Sequence, residues 1–170
     1  MQIRTAADLV DPELEARWNT RRAARETEIL QAILRMFVER PDPIVVEEFI
    51  RALPGQASAD TRAALMRLDE DDLIQIRDGR VDLAYPFSAT PTSFVVQLPG
   101  RGDRYVCCAI DALGVAPMLG ESVRIRSLCH HCGEPLEFSA DPFGPGPDAK
   151  GIMMWAGKRC ADERRALTST

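Results

Sequence analysis

The chain has 170 residues, 45% of them hydrophobic, enough to bury the core of one ordinary domain or two small ones. Its 21 basic and 26 acidic residues give a formal charge of −5, a poor balance for a general nucleic-acid binder, since phosphate affinity rests on Lys and Arg. No stretch approaches the roughly 20 apolar residues of a membrane span, and the N-terminus, carrying Asp8, Asp11, Glu13 and Glu15, has neither signal-peptide nor transit-peptide character.

The chain therefore reads as cytoplasmic. In that reducing compartment, clustered cysteines point to metal binding or catalysis rather than to disulfides. Arg21, Arg22 and Arg25 form a basic run that reads as the solvated face of a helix. The stretch ETEILQAILRMFVER then places Ile29, Ile33, Leu34 and Phe37 on one helical face, and Pro41 and Pro43 end that helix. VVEEFIRAL reads as a short second helix closed by Pro54 and Gly55. A third begins at Ser58, its expected N-cap, with Ala63, Leu65, Met66 and Leu68 on its apolar side.

Asp78-Gly79 lies between two short alternating runs, the strongest hairpin signal that a sequence offers. Three helices and a hairpin outline a winged-helix-like domain over residues 1–84. That outline raises DNA reading by the third helix. The helix offers Arg62 and Arg67 but also Asp60, Asp69, Glu70, Asp71 and Asp72, which repel phosphate. A packing platform is the better reading, and DNA binding is not expected.

Residues 84–93 read as a connector. Beyond it, residues 85–170 read as an α+β unit with a mainly antiparallel sheet and a packed helix. SFVVQLP and DRYVCC are expected strands joined by the turn GRGD. CAIDALGVAPMLG is an expected helix ended by Pro117 and Gly120. ESVRIRSLC and PLEFSA are expected strands, DPFGPGPDAKG a long turn and IMMWAG a last strand.

Four of the five cysteines lie between positions 107 and 132. Cys108 sits where a strand gives way to a helix, and a helix N-terminus favours a thiolate. Asp111 projects near the same end, pairing a soft nucleophile with a group able to hold and deliver a proton. The bland alternative makes Cys107 and Cys108 small buried hydrophobes. Cys129 and Cys132 have the spacing of a zinc knuckle, with Gly133 freeing the turn. They supply half of a tetrahedral site; a second pair is needed, and the chain offers Cys160 and Cys107. A thiophilic metal held by Cys129 and Cys132 is the other option.

The run YVCCAIDALGVAPMLGESVRIRSLC resembles the core of the organomercurial (alkylmercury) lyases. Cys108, Asp111, Pro117, Gly120 and Cys129 fall in step with that family without a gap, and Thr90-Pro91-Thr92 falls at its threonine–proline position. The resemblance covers residues 85–136 well and 20–84 loosely. It implies cleavage of a carbon–mercury bond by protonolysis, releasing a hydrocarbon and Hg(II). Cys108 would be the first mercury-binding thiol, Asp111 the proton-handling carboxylate and Cys129 a structural cysteine. The second catalytic thiol is expected at Cys160, with Cys107 and Cys132 as alternatives, or is absent from a family member shortened at its C-terminus. The resemblance further implies no required cofactor, Hg(II) as bound product, an organomercurial substrate, and small or protein thiols that remove the metal. A structural zinc at the knuckle stays open. So do two other functions: a non-catalytic thiol-rich module for Hg, Zn or Cu, and a metal-responsive winged-helix regulator.

Overall fold

The computed structural model describes residues 26–53 and 57–154, together with Ala16. It is α+β. Helix α1 (Glu26–Glu39) is followed by β1 (Ile44–Val45), α2 (Val46–Ala52), α3 (Ser58–Glu70) and the hairpin β2 (Ile74–Arg77) and β3 (Arg80–Ala84). This is the element order of a winged-helix-like unit. Strands β4 (Phe87–Ser88), β5 (Phe94–Leu98) and β6 (Gly102–Val106) lead into helix α4 (Ala109–Leu119). Strands β7 (Val123–Leu128), β8 (Pro135–Asp141) and β9 (Gly144–Pro145) complete the described part.

All nine strands join one sheet, in the order β1-β3-β4-β6-β5-β7-β8-β9 with β2 also pairing β3, and every pairing is antiparallel. The β2–β3 hairpin turns on Asp78 (φ 48°) and Gly79 (φ 73°). Both central residues are left-handed, which matches the right-handed twist of the flanking strands. The stretch expected as a connector contains β4, which pairs β3 on one side and β6 on the other. Two residues are too few to read as a strand from sequence. They pair because both neighbouring edges are already in place. The expected division at residue 84 thus falls within one hydrogen-bonded sheet.

The apolar faces meet in one cluster running from Ile29 on α1 to Ala140 on β8. Phe37 and Phe87 stack across it with ring centroids 6.4 Å apart. On α1, Ile29, Ile33 and Phe37 are buried and Leu34 is partly buried. On α3 the buried face is Thr61, Ala64, Leu65 and Leu68; Ala63 and Met66 face outward, contrary to expectation. Ser58 is the first helical residue rather than the N-cap, which is Ala57. The cations and acids of α3 serve the fold. Arg62 pairs with Glu47 at 2.7 Å, and an Asp69 carboxylate oxygen accepts the Ile76 N–H at 2.9 Å.

Arg104, on β6, is 3% exposed. Its guanidinium donates to the carbonyls of Phe37 and Val38, each at 2.7 Å, and of Arg101 and Asp103 at 2.9 and 2.7 Å. It thereby satisfies carbonyls at the C-terminal end of α1 and brings a positive charge to the negative end of the helix dipole. This bolt fixes α1 to the strand that leads into the cysteine pair.

Pro117 does not end α4. It lies in the last turn, where its fixed φ suits a helix, and Gly120 (φ 68°) makes the stop, its N–H bonding to the Ala116 carbonyl at 2.9 Å. The expected last strand is absent from residues 152–154; its remainder, with Trp155, lies outside the described residues. Among the described residues no helix is long and apolar enough to cross a membrane.

Candidate active site at the start of helix α4

Strand β6 ends at Val106, and the next two residues are the cysteines. The end of this strand is held from three sides. The Thr92 hydroxyl donates to the Val106 carbonyl at 2.6 Å and accepts the Phe94 N–H at 3.2 Å. The Cys107 N–H donates to the Pro86 carbonyl at 3.0 Å. The Cys107 thiol points to the Phe87 carbonyl at 3.9 Å. Thr92 thus gives the Thr-Pro-Thr motif a physical role: it pins the backbone one residue ahead of the cysteine pair.

Cys108 is the N-cap of α4, extended at φ −154° and ψ −178°, and its carbonyl accepts the Ala112 N–H that opens the helix. Its thiol donates to Asp111 Oδ2 at 2.9 Å. The spacing of three residues creates this contact, since a cap side chain and a residue in the first turn share one end of the helix.

Two opposing influences act on the Cys108 thiol, the helix terminus and the Asp111 carboxylate. Burial raises the Cys108 pKa, and the Asp111 carboxylate raises it further, to about 11. The N–H groups of Asp111 and Ile110 pull the other way and are outweighed. The helix terminus alone would favour the thiolate. Here desolvation and an adjacent carboxylate win. Burial also raises the Asp111 pKa, against the opposing Cys108 hydrogen bond. Cys107 is pushed up strongly, first by burial and then by Asp111 and Cys108. The Cys108 thiol therefore holds its proton, directed at Asp111.

Tyr85 belongs to the same neighbourhood. Its hydroxyl is buried without a hydrogen-bond partner, and its pKa is raised by burial and then by Asp72, Cys107, Asp111 and Cys108. Sequence reasoning missed it, because a tyrosine before a proline in an apparent connector carries no signal.

Cys129 and Cys132 lie elsewhere, in the loop joining β7 to β8. The Cys129 N–H donates to the Glu134 carbonyl and the Gly133 N–H to the Cys129 carbonyl, both at 2.8 Å. The Cys129 pKa is lowered, chiefly by the backbone N–H groups of Cys132 and His131 and then by the Cys132 side chain. No three Cys, His, Asp or Glu side chains gather as a metal cluster among the described residues. Cys160 lies outside the described residues, so the structure brings Cys108 and Asp111 together and leaves Cys160 unplaced.

A thiol thus donates to a carboxylate at a helix N-terminus on an antiparallel α+β frame. A sequence model described as MerB, alkylmercury lyase, matches residues 87–168. The alkylmercury lyase of Staphylococcus epidermidis is 29% identical over 114 residues, covering 67% of this chain and 50% of that protein. That of Bacillus cereus is 30% identical over 99 residues, covering 58% and 43% respectively. A crystal structure described as the mercury-bound form of MerB2 superposes with a TM-score of 0.55 at 22% identity, covering 72% of this chain and 64% of that one; this likeness concerns the fold. The chain is therefore similar to the alkylmercury lyases over its second half. It spans about half the length of the curated relatives it matches.

Proposed function

We propose that this chain cleaves carbon–mercury bonds by protonolysis at Cys108 and Asp111. The observation that carries the reading is the 2.9 Å hydrogen bond from the Cys108 thiol to Asp111 Oδ2 at the start of α4. A soft thiolate selects a soft metal centre. As Cys108 sulfur bonds to the mercury of R–Hg–X, its proton passes to Asp111. Donation from sulfur weakens the Hg–C bond, and its electron pair takes that proton, giving R–H and restoring the carboxylate. A second thiol completes a bis-thiolate around mercury, and its proton leaves with X. Mercury stays Hg(II) throughout, so no oxidant or cofactor enters the balance.

Burial serves this chemistry. A proton held by a desolvated carboxylate is delivered to carbon rather than lost to water, and an acid of raised pKa stays protonated nearer neutral pH. Tyr85, kept protonated, offers a hydroxyl donor beside these groups. Cys107 is engaged with the Phe87 carbonyl, so the second thiol is assigned to Cys160. Small or protein thiols then take up the bound Hg(II) by exchange.

The test is hydrocarbon release. The full chain is incubated with excess phenylmercury and a small dithiol, and benzene is followed by headspace gas chromatography. Benzene beyond one equivalent, abolished by Cys108→Ser, is the expected result. Mercury bound without benzene would overturn the lyase reading and leave a thiol-binding module.

A further inference from the structure

The Tyr85 hydroxyl is buried and has no hydrogen-bond partner among the described residues. The residue as a whole is only half-buried, so its polar tip points inward rather than to solvent. A buried donor left unpaired costs free energy, and folded proteins keep few of them.

The backbone puts this tyrosine at the cysteine end of the sheet. Strand β4 pairs β6 with Phe87 opposite Val106, and the Pro86 carbonyl accepts the Cys107 N–H at 3.0 Å. In an antiparallel ladder each step forward on one strand faces a step back on the other, so the next position brings Tyr85 level with Cys108. On its other side the Tyr85 N–H donates to the Leu73 carbonyl at 3.3 Å. Asp111 returns to the same point, because its Oδ2 accepts the Cys108 thiol at 2.9 Å. The raised pKa of Tyr85 agrees with this placement: burial is the first cause, followed by Asp72, Cys107, Asp111 and Cys108.

The donors around Asp111 change when mercury binds. In the metal-free site the carboxylate receives the Cys108 S–H. As sulfur bonds to mercury, the S–H bond breaks and the S–Hg bond forms. The proton goes to carbon in the cleavage proposed above, or to the departing ligand when Hg(II) itself is taken up by exchange. Either way Asp111 ends as a partly buried carboxylate that has lost its thiol donor. Metal binding thus makes an unpaired acceptor at the end of the ladder where Tyr85 holds an unpaired donor.

We propose that Tyr85 is a further residue of this site, whose hydroxyl donates to the Asp111 carboxylate once Cys108 carries mercury. It takes the place of the thiol proton. It transfers no proton itself and touches no substrate, so it is a positioning residue that stabilises the mercury-bound state. The inference rests on Cys108 as a mercury ligand, which is part of the function proposed above, and is independent of carbon–mercury cleavage.

The experiment uses the full chain and Tyr85→Phe, each with and without Asp111→Asn. Hg(II) is buffered by glutathione, so that every site meets the same free metal. Free thiols are trapped with iodoacetamide, alkylation at Cys108 is read by tandem mass spectrometry, and metal-free stability is followed in urea. Tyr85→Phe should lower the Hg(II) affinity at Cys108 by about tenfold or more, the scale of a hydrogen bond to a charged group. The urea midpoint should stay the same or rise, because the variant deletes only an unpaired hydroxyl. In the Asp111→Asn chain the same substitution should change the affinity by less than about threefold, since the charged acceptor is gone. An equal loss in both backgrounds, or a urea midpoint that falls with it, would mean a packing role and overturn the inference. A loss that disappears with Asp72→Asn instead would move the partner to Asp72 and overturn it too. Unchanged protection of Cys108 in Tyr85→Phe would overturn the inference alone. No protection of Cys108 in the wild type would overturn it together with the role of Cys108 as a mercury ligand.

Discussion

Cys108 and Cys129 both receive backbone N–H groups, yet their protons are held in opposite ways. Cys108 sits at the start of α4, where burial and the Asp111 carboxylate raise its pKa to about 11. Cys129 sits at a hairpin tip, where the N–H groups of Cys132 and His131 lower its pKa. At Cys108 desolvation and the carboxylate outweigh the backbone donors, and at Cys129 the donors outweigh desolvation and Glu134. Cys108 thus holds its proton more tightly than an ordinary thiol, and Cys129 less tightly.

The largest expected effect comes from erasing the carboxylate that separates the two. Asp111→Asn removes proton delivery and should lower turnover of phenylmercury by about 10²–10⁴-fold, the usual scale of general acid–base catalysis. It should also move Cys108 toward Cys129. With the carboxylate gone, burial alone holds the thiol proton, and the alkylation midpoint of Cys108 should drop below about 11. The same change alters stability with pH. In the wild type the folded state holds the Cys108 proton more tightly than the unfolded chain, whose ordinary value is 9.0. That contribution is fully present below pH 9 and is lost as pH rises through about 11. Urea unfolding between these limits should show a smaller loss in Asp111→Asn. An unchanged alkylation midpoint would mean that the 2.9 Å contact does not govern the thiol.

Next in size is Arg104→Met. Four carbonyls lose their donor inside the protein, and each buried acceptor left without a partner costs about 1–3 kcal/mol. A stability loss of about 3 kcal/mol or more is expected from urea midpoints. Alkylation at pH 8 gives the contrast. Cys107 and Cys108, which rest on this frame, should label faster, while Cys129 should hardly change. Equal acceleration of all would show that the hairpin tip depends on the same bolt.

What was legible in the sequence follows from this contrast. Local chemistry showed through: Asp78-Gly79 as a left-handed turn, Gly120 as the helix stop, and Cys108 and Asp111 as neighbours one turn apart. What depends on distant chain did not. Arg104 reads as an ordinary exposed strand residue, because two of its partner carbonyls lie 67 and 66 positions away. The Cys108 proton follows burial first, which no local pattern encodes, so the balance between helix terminus and carboxylate was not legible. Tyr85 and the two-residue strand β4 were hidden for the same reason: their neighbours, not their own letters, define them.

The smallest expected effect isolates the loop itself. Gly133→Ala places a Cβ on a residue at φ +74°, with no atom within 4 Å of it, so the change strains the backbone without any clash. The left-handed conformation costs an L residue about 1–2 kcal/mol. Gly120→Ala is the matched control: it too lies in open space, at φ +68°, but at the end of α4 away from Cys108. Both variants should lose about 1 kcal/mol in urea. Only Gly133→Ala should slow Cys129 alkylation at pH 8, because the Gly133 N–H bond to the Cys129 carbonyl closes the loop in which the Cys129 pKa is lowered. If Gly120→Ala slowed Cys129 as much, the lowered pKa would reflect overall stability rather than two donors fixed in a six-residue loop, and the two cysteine pairs would differ in burial alone.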